Sequence, residues 1–275
     1  MPALRKPTTA LLALVLAAGL AAAALSAGPL SDPQKKKATA AEKNAQDQYE
    51  KALIALRYGL TDEAIRYGEL AVAADPDHFS SWTLLGSARF TKGEYALSAE
   101  AYERAAALKP DSAEVQRNLG LAYIEAKETE KAHSALKSAY ALDGDADAAY
   151  YLGRLYYVEK KYDEALDYTA KSIQKNGANA GAYNLKGAIL NQLGRPLEAA
   201  GSFQAGLVLA PGDVNLQVNL GIAYLNANEP AKAKAVFEAV LPKIQQIVLK
   251  TQVEGYLKAI KDAGKWARRS GPPCP

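Results

Sequence analysis

Small and apolar residues recur along the chain at the spacing of buried helix faces. In the clearest stretch they fall at i, i+3, i+4 and i+8, at Trp82, Leu85, Gly86 and Phe90. The polar residues 92–94 interrupt the pattern, and a second helical stripe follows at Ala99, Tyr102, Ala105, Ala106 and Leu108. Pro110 ends that stripe, because proline cannot continue a helix interior. The pattern predicts two helices joined by a short turn.

The same arrangement returns with a nearly constant period. A glycine recurs in steps of 34, 33, 34, 34 and 34 residues, at Gly86, Gly120, Gly153, Gly187, Gly221 and Gly255. A second series of small residues carries the same one-residue deletion, at Ala64, Ser98, Ala132, Ala165, Ala199 and Ala233. A period in this range is typical of stacked repeat proteins. Small side chains at a fixed phase predict close helix crossings, which larger residues would overpack.

These positions resemble the tetratricopeptide repeat family, whose pattern is W-x2-L-G-x2-Y, then A, then F-x2-A, then P. The best match lies at Trp82, Leu85, Gly86, Gly93, Tyr102, Ala105 and Pro110. The resemblance implies an all-α fold, a right-handed superhelical solenoid of antiparallel helix pairs. It implies six units over residues 45–247, with starts near 45, 79, 113, 146, 180 and 214. A capping helix is expected over residues 248–269, with its apolar side facing inward at Val248, Val253, Leu257 and Ile260.

The two ends of the chain have a different composition. Residues 1–27 have the parts of a secretory signal: Arg5 and Lys6, an uncharged apolar run, and small residues that allow cleavage after Ala24 or Ala27. This predicts export to the periplasm; the alternative is an uncleaved inner-membrane anchor. Residues 28–44, rich in lysine and proline, are predicted as a flexible spacer and helix lead-in. Residues 270–275 are predicted as a disordered tail holding Cys274, the single cysteine, so no internal disulfide is expected.

Charge and candidate chemistry narrow the function. The net charge of +3 does not indicate nucleic-acid binding, which requires clustered basic residues. The stretch 143–147 places aspartates at positions 1, 3 and 5 of a calcium-like loop, but Ala148 and Arg154 stand where the turn glycine and the bidentate glutamate belong. A helix-start turn is the better interpretation. His78 and His133 are the two histidines, and no carboxylate or cysteine joins them at metal spacing. We therefore expect no enzyme activity, no metal and no cofactor.

The resemblance also implies a partner-binding groove lined by the first helices of the units. The groove positions expected to contact a partner are Tyr49, Phe90, Arg117, Asn118, Tyr150, Arg154, Tyr157, Asn184, Asn191 and Asn219. Tyrosine, asparagine and arginine suit an extended peptide, because amides can bond its backbone and tyrosines can cover its side chains. The other interpretation is a solvated face that holds no single ligand.

Two functional hypotheses follow. The first is an adaptor or scaffold of the bacterial envelope that binds a peptide or protein segment and aids assembly of a complex. Six units behind an export signal are similar to the tetratricopeptide pilotin family of type IV pili, although the lipid-bearing cysteine of that family is missing here. The second hypothesis is a structural subunit of a larger envelope machine, tethered by an uncleaved N-terminal segment. The sequence leaves the oligomeric state open.

Overall fold

The computed structural model describes residues 40–270, with the side chains of residues 264–270 excepted. Within that range the chain forms thirteen α-helices and one short 3-10 helix, and no strand. In chain order the α-helices are α1 (Ala40–Arg57), α2 (Thr61–Ala74), α3 (Phe79–Lys92), α4 (Tyr95–Leu108), α5 (Ala113–Glu125), α6 (Thr129–Asp143), α7 (Ala146–Val158), α8 (Tyr162–Lys175), α9 (Ala180–Gln192), α10 (Pro196–Leu209), α11 (Val214–Asn226), α12 (Pro230–Val240) and α13 (Ile247–Ser270).

The helices are grouped into two compact units, one ending at Ala148 and the other beginning at Ala149. In the first unit each of the helices α1 to α5 packs on the next along the chain. In the second unit α9 packs on α8 and α10, and α11 packs on α10 and α12. The expected all-α solenoid of antiparallel helix pairs is confirmed.

A left-handed backbone residue reverses the chain within every helix pair. These residues follow the repeat period, at Gly59, Gly93, Lys127, Lys160, Gly194 and Asn228, all with φ between 57° and 87°. Glycine adopts this conformation without steric cost, whereas lysine must hold its Cβ close to the backbone. The turn geometry is therefore periodic even where the glycine signal in the sequence is lost.

The glycine series marks the places where the two helices of a pair cross. At each crossing the side chain sixteen residues later lies against the glycine, as in Gly86 with Tyr102, Gly153 with Thr169 and Gly187 with Phe203. A Cβ atom added at Gly86 would lie 2.9 Å from the Tyr102 ring, and one at Gly187 would lie 2.5 Å from the Phe203 ring. Around Gly255 nothing lies within 4 Å of such an atom, so this last glycine is not at a crossing. Glycine is therefore required for close packing within the helix pairs, but not in the last helix.

Polar bridges join successive pairs at a fixed separation of twenty residues. Arg89 Nη2 donates to Glu69 Oε1 at 2.9 Å, and the Tyr123 hydroxyl donates to Glu103. In the second unit Gln204 Nε2 donates to the Tyr224 hydroxyl at 2.9 Å. Each bridge connects a first helix to the second helix of the preceding pair, and so fixes how neighbouring pairs stack.

The last helix covers the end of the second unit. Val253 is fully buried, Leu257 and Ile260 pack against the same cluster, and the Tyr256 ring stacks on Phe237 with centroids 5.3 Å apart. The expectation that Val248 faces inward is wrong, because its side chain is 83% exposed. Ile247 and Val248 at the start of α13 are both exposed, whereas Leu249 already packs against the cluster.

The expectations for the chain ends lie almost wholly outside the described residues. These are the signal peptide or anchor over residues 1–27, the spacer up to residue 39, and the tail with Cys274. Residues 40–44 of the predicted spacer already belong to α1, and Ser270 ends α13. None of the helices within residues 40–270 is long and apolar enough to span a bilayer.

Candidate peptide-binding surface

The groove positions of the first unit are mostly buried. Phe90 is 1% exposed and its ring packs edge-to-face on Tyr95, with centroids 5.3 Å apart. Asn118 is 3% exposed. The expectation that these two residues contact a partner is therefore wrong for this structure. Both are core residues of the first unit.

The crossing of α3 and α4 also buries a tyrosine. The ring of Tyr102 in α4 lies against Gly86 and is fully buried. Burial raises the pKa of Tyr102 well above its usual value.

Two further predicted residues in the first unit are engaged within the protein. Arg117 Nη1 donates to Asp145 Oδ2 at 2.6 Å, with 18% of the arginine side chain and 8% of the aspartate side chain exposed. Tyr49 is half-buried, and its ring packs edge-to-face on His78 with centroids 5.6 Å apart. The positive charge of Arg117 is therefore largely compensated by Asp145.

In the second unit the predicted residues form a continuous, half-exposed surface. Its members lie on the first helices α7, α9 and α11, and we name it the amide–tyrosine face: Tyr150, Arg154, Tyr157, Asn184, Asn191 and Asn219. The Arg154 guanidinium lies 5.8 Å from the ring centroid of Tyr150 and 5.7 Å from that of Tyr151. Cation–π contact with two rings orients this cation while leaving it partly exposed.

The amides of this face connect neighbouring first helices. Asn219 Nδ2 donates to Asn184 Oδ1 at 2.9 Å, which joins α11 to α9. The Oδ1 atom of Asn191 is buried and accepts no hydrogen bond within the described chain. Tyr157 bonds to Gln192, and its pKa is raised chiefly by burial, so the phenol stays protonated at neutral pH. The face therefore offers neutral donors and acceptors around one cation.

Two residues that support this face were not predicted from the sequence. Gly181 lies against Tyr150, since a Cβ atom there would be 3.2 Å from the Tyr150 hydroxyl. Gln192 anchors Tyr157. They are the second and thirteenth residues of their unit, which are groove positions. The repeat register could therefore have identified both. A glycine has no side chain to attract notice, so only its neighbour reveals its role.

The aspartate-rich stretch before α7 is a helix start. Asp145 Oδ1 accepts from the Ala148 backbone N–H at 2.7 Å, which is the bond of an N-cap residue. Its other carboxylate oxygen, Oδ2, accepts a hydrogen bond from Arg117 Nη1. Across the described residues no group of three or more His, Cys, Asp and Glu side chains is placed to hold a metal ion.

The helix pairs, their turns and their crossings define an α-solenoid of stacked repeats. Family models described as "TPR repeat" and "Tetratricopeptide repeat" match residues 86–127 and 117–180. The same crossings and turns continue on both sides of that range. Residues 86–180 are thus identified as tetratricopeptide repeats.

Curated relatives are distant and longer. The peroxisomal targeting signal receptor of Candida albicans is 23% identical over 66% of this chain and 38% of its own length. The BBSome complex member BBS4 of Bos taurus is 25% identical over 53% of this chain and 28% of its own length. The chain thus spans about a third of the length of these relatives.

Solved structures share the fold. PilF of Pseudomonas aeruginosa superposes with a TM-score of 0.67 at 18% identity, over 79% of this chain and 99% of that one. YrrB, described as a TPR protein with an unusual peptide-binding site, superposes with a TM-score of 0.58 at 18% identity, over 68% of this chain and 97% of that one. At this identity the likeness concerns the fold alone.

Proposed function

We propose that the protein is a non-enzymatic scaffold that binds an extended protein segment on the amide–tyrosine face. The observation that carries the proposal is the placement of amide, phenol and guanidinium groups on three neighbouring first helices, all of them half-exposed. Tetratricopeptide repeats indicate protein–protein interaction, and such arrays present extended binding surfaces.

The chemistry of the face suits a peptide backbone. An asparagine side chain both donates and accepts, as a backbone amide requires, and Asn184, Asn191 and Asn219 are all half-exposed. The Asn184–Asn219 bond holds two amides in a fixed orientation, which lowers the entropy lost on binding. Arg154 is the single charged member of the face, so the segment should carry an acidic side chain opposite it.

The proposed place of action is the bacterial envelope, on the periplasmic side. The N-terminal segment with Arg5, Lys6 and an uncharged apolar run supports export. A role in assembling a pilus or secretion complex is supported by the fold shared with PilF. A tether formed by an uncleaved N-terminal segment is the alternative, and it would make the protein a fixed subunit of such a machine.

Binding can be tested by removing the charged and aromatic centre of the face. Peptides are selected on the purified protein from a displayed library of random 12-residue sequences, and the dissociation constant of the best one is measured by fluorescence anisotropy. We expect Tyr150→Ala with Arg154→Ala to weaken binding at least tenfold, because both side chains are partly exposed and lie together.

A matched control is available on the second helix of the same repeat. Tyr168→Ala with Lys171→Ala also removes a tyrosine and the cation over its ring, 4.7 Å apart, but outside the face. This variant should bind the peptide as the unchanged protein does. Equal loss in both double variants, or loss of helical circular dichroism in the first, would refute the assignment of the face.

A further inference from the structure

A second candidate site lies in the first unit, away from the amide–tyrosine face. A cleft of about 450 Å³ opens between α2, α3 and α4. Its apolar wall is formed by Val72, Trp82, Leu85 and Ala101. The volume falls within the range of ligand pockets, about 300–1,000 Å³. None of the lining residues is a groove position, so the cleft is separate from the proposed peptide surface.

The tryptophan offers the face of its ring to the cleft. Its indole N–H is already used, because Trp82 Nε1 donates to the Pro76 carbonyl at 2.7 Å. The guanidinium of Arg104 lies over the ring, 5.7 Å from its centroid. An indole face is the strongest aromatic partner for a cation. The position of Arg104 over the Trp82 ring therefore shows where a cation is stabilised in the cleft.

Acidic side chains exceed basic ones around the cleft. Glu69, Glu100 and Glu103 face two arginines, Arg89 and Arg104. Arg89 is held by Glu69 at 2.9 Å and by the Leu97 carbonyl at 3.3 Å. Glu100 is exposed and, within the described chain, has no hydrogen bond or ion pair. Arg104 is also exposed, and its one contact there is the indole ring. A second cation would find a free carboxylate beside the ring.

We propose that this cleft binds a lysine or arginine side chain of a protein partner. The aliphatic stem lies along the partly exposed Trp82 and Val72, and the cationic end meets the indole face and Glu100. Long basic side chains bury their stems against apolar surface in this way while the charge stays near water. Arg104 occupies the same place in the free protein and must turn outward when the partner binds. Arg104 is thus a competitor of the ligand.

The test uses Trp82 fluorescence in a Trp266→Phe background, which leaves one of the two tryptophans. The probe is the capped peptide acetyl-Ser-Gly-Lys-Gly-Ser-amide, compared with the same peptide carrying norleucine or glutamate in place of lysine. We expect saturable binding of the lysine peptide, at least fivefold weaker binding of the norleucine peptide, and no binding of the glutamate peptide.

Two variants should change the affinity for the lysine peptide in opposite directions. Glu100→Gln should weaken lysine-peptide binding severalfold, whereas Arg104→Ala should strengthen it, because the competing cation is gone. Glu238→Gln, at an exposed position on α12, is the control and should change nothing.

Four results would overturn the proposal: no saturable response to lysine, equal binding of norleucine, binding of glutamate, or weaker lysine binding in Arg104→Ala. The amide–tyrosine face is unaltered in all these variants, so the outcome is independent of the proposed peptide binding.

Discussion

At the scale of single residues, identical sequence signals have different physical roles. Gly187 and Gly255 belong to the same periodic series. At Gly187 an added Cβ would lie 2.5 Å from the Phe203 ring, whereas at Gly255 nothing lies within 4 Å. The first glycine is required by packing, and the second is only a weak helix former in α13.

Alanine substitutions at these two glycines should therefore act in opposite directions. Gly187→Ala should destabilise the protein by about 1–3 kcal/mol, because the methyl group overpacks the crossing of α9 and α10. Gly255→Ala should stabilise it by up to about 1 kcal/mol, since alanine is the better helix former and has free space. Urea unfolding followed by circular dichroism measures both. A stabilised Gly187→Ala would show that the crossing can relax.

At the scale of elements, the first helices α7 and α11 are capped by aspartates with different numbers of partners. Asp213 caps α11 by accepting from the backbone N–H groups of Asn215 and Leu216. Asp145 caps α7 in the same way, and also receives the guanidinium of Arg117, whose side chain is 18% exposed. Helix-start residues were recognisable in the sequence, but the ion pair spans 28 residues and depends on how α5 meets the turn before α7.

Removing each cap separates the two contributions. Asp213→Ala should lower the free energy of unfolding by about 1 kcal/mol, the usual cost of a lost N-cap. Asp145→Ala should cost more, up to about 3–5 kcal/mol, because it also removes the 2.6 Å partner of a largely buried arginine and leaves only Asp147, 3.9 Å away. The comparison uses the same urea unfolding experiment. Equal losses in the two variants would mean that the Arg117–Asp145 pair adds nothing to stability.

The repeat register predicted exposure better in the second unit than in the first. The register identified six residues that form a half-exposed face in the second unit. It failed at Phe90 and Asn118, which are 1% and 3% exposed; the Phe90 ring packs on Tyr95 of the second helix. The register assigns a residue to one side of its own helix. Which side chains cover that side is decided by their neighbours from other helices.

At the scale of the whole molecule, the proposed location depends on the N-terminal segment. If the segment is a cleaved signal, the purified protein should begin at Leu25 or Gly28. N-terminal sequencing with intact mass measurement decides this. Protein that retains residues 11–20 and sediments with membranes would instead support the tethered subunit. Cytoplasmic protein that retains the segment would contradict both forms of the envelope proposal.

The sequence by itself determined the number of helix pairs, their order and their crossings, because each depends on a local period that small residues and turns repeat. It also indicated tetratricopeptide repeats. The tertiary structure alone decided which groove positions stay open, where α13 begins to pack, and that Trp82, Glu100 and Arg104 meet in one cleft. These features join side chains from different helices, and their sizes and distances are set only when the helices are packed together.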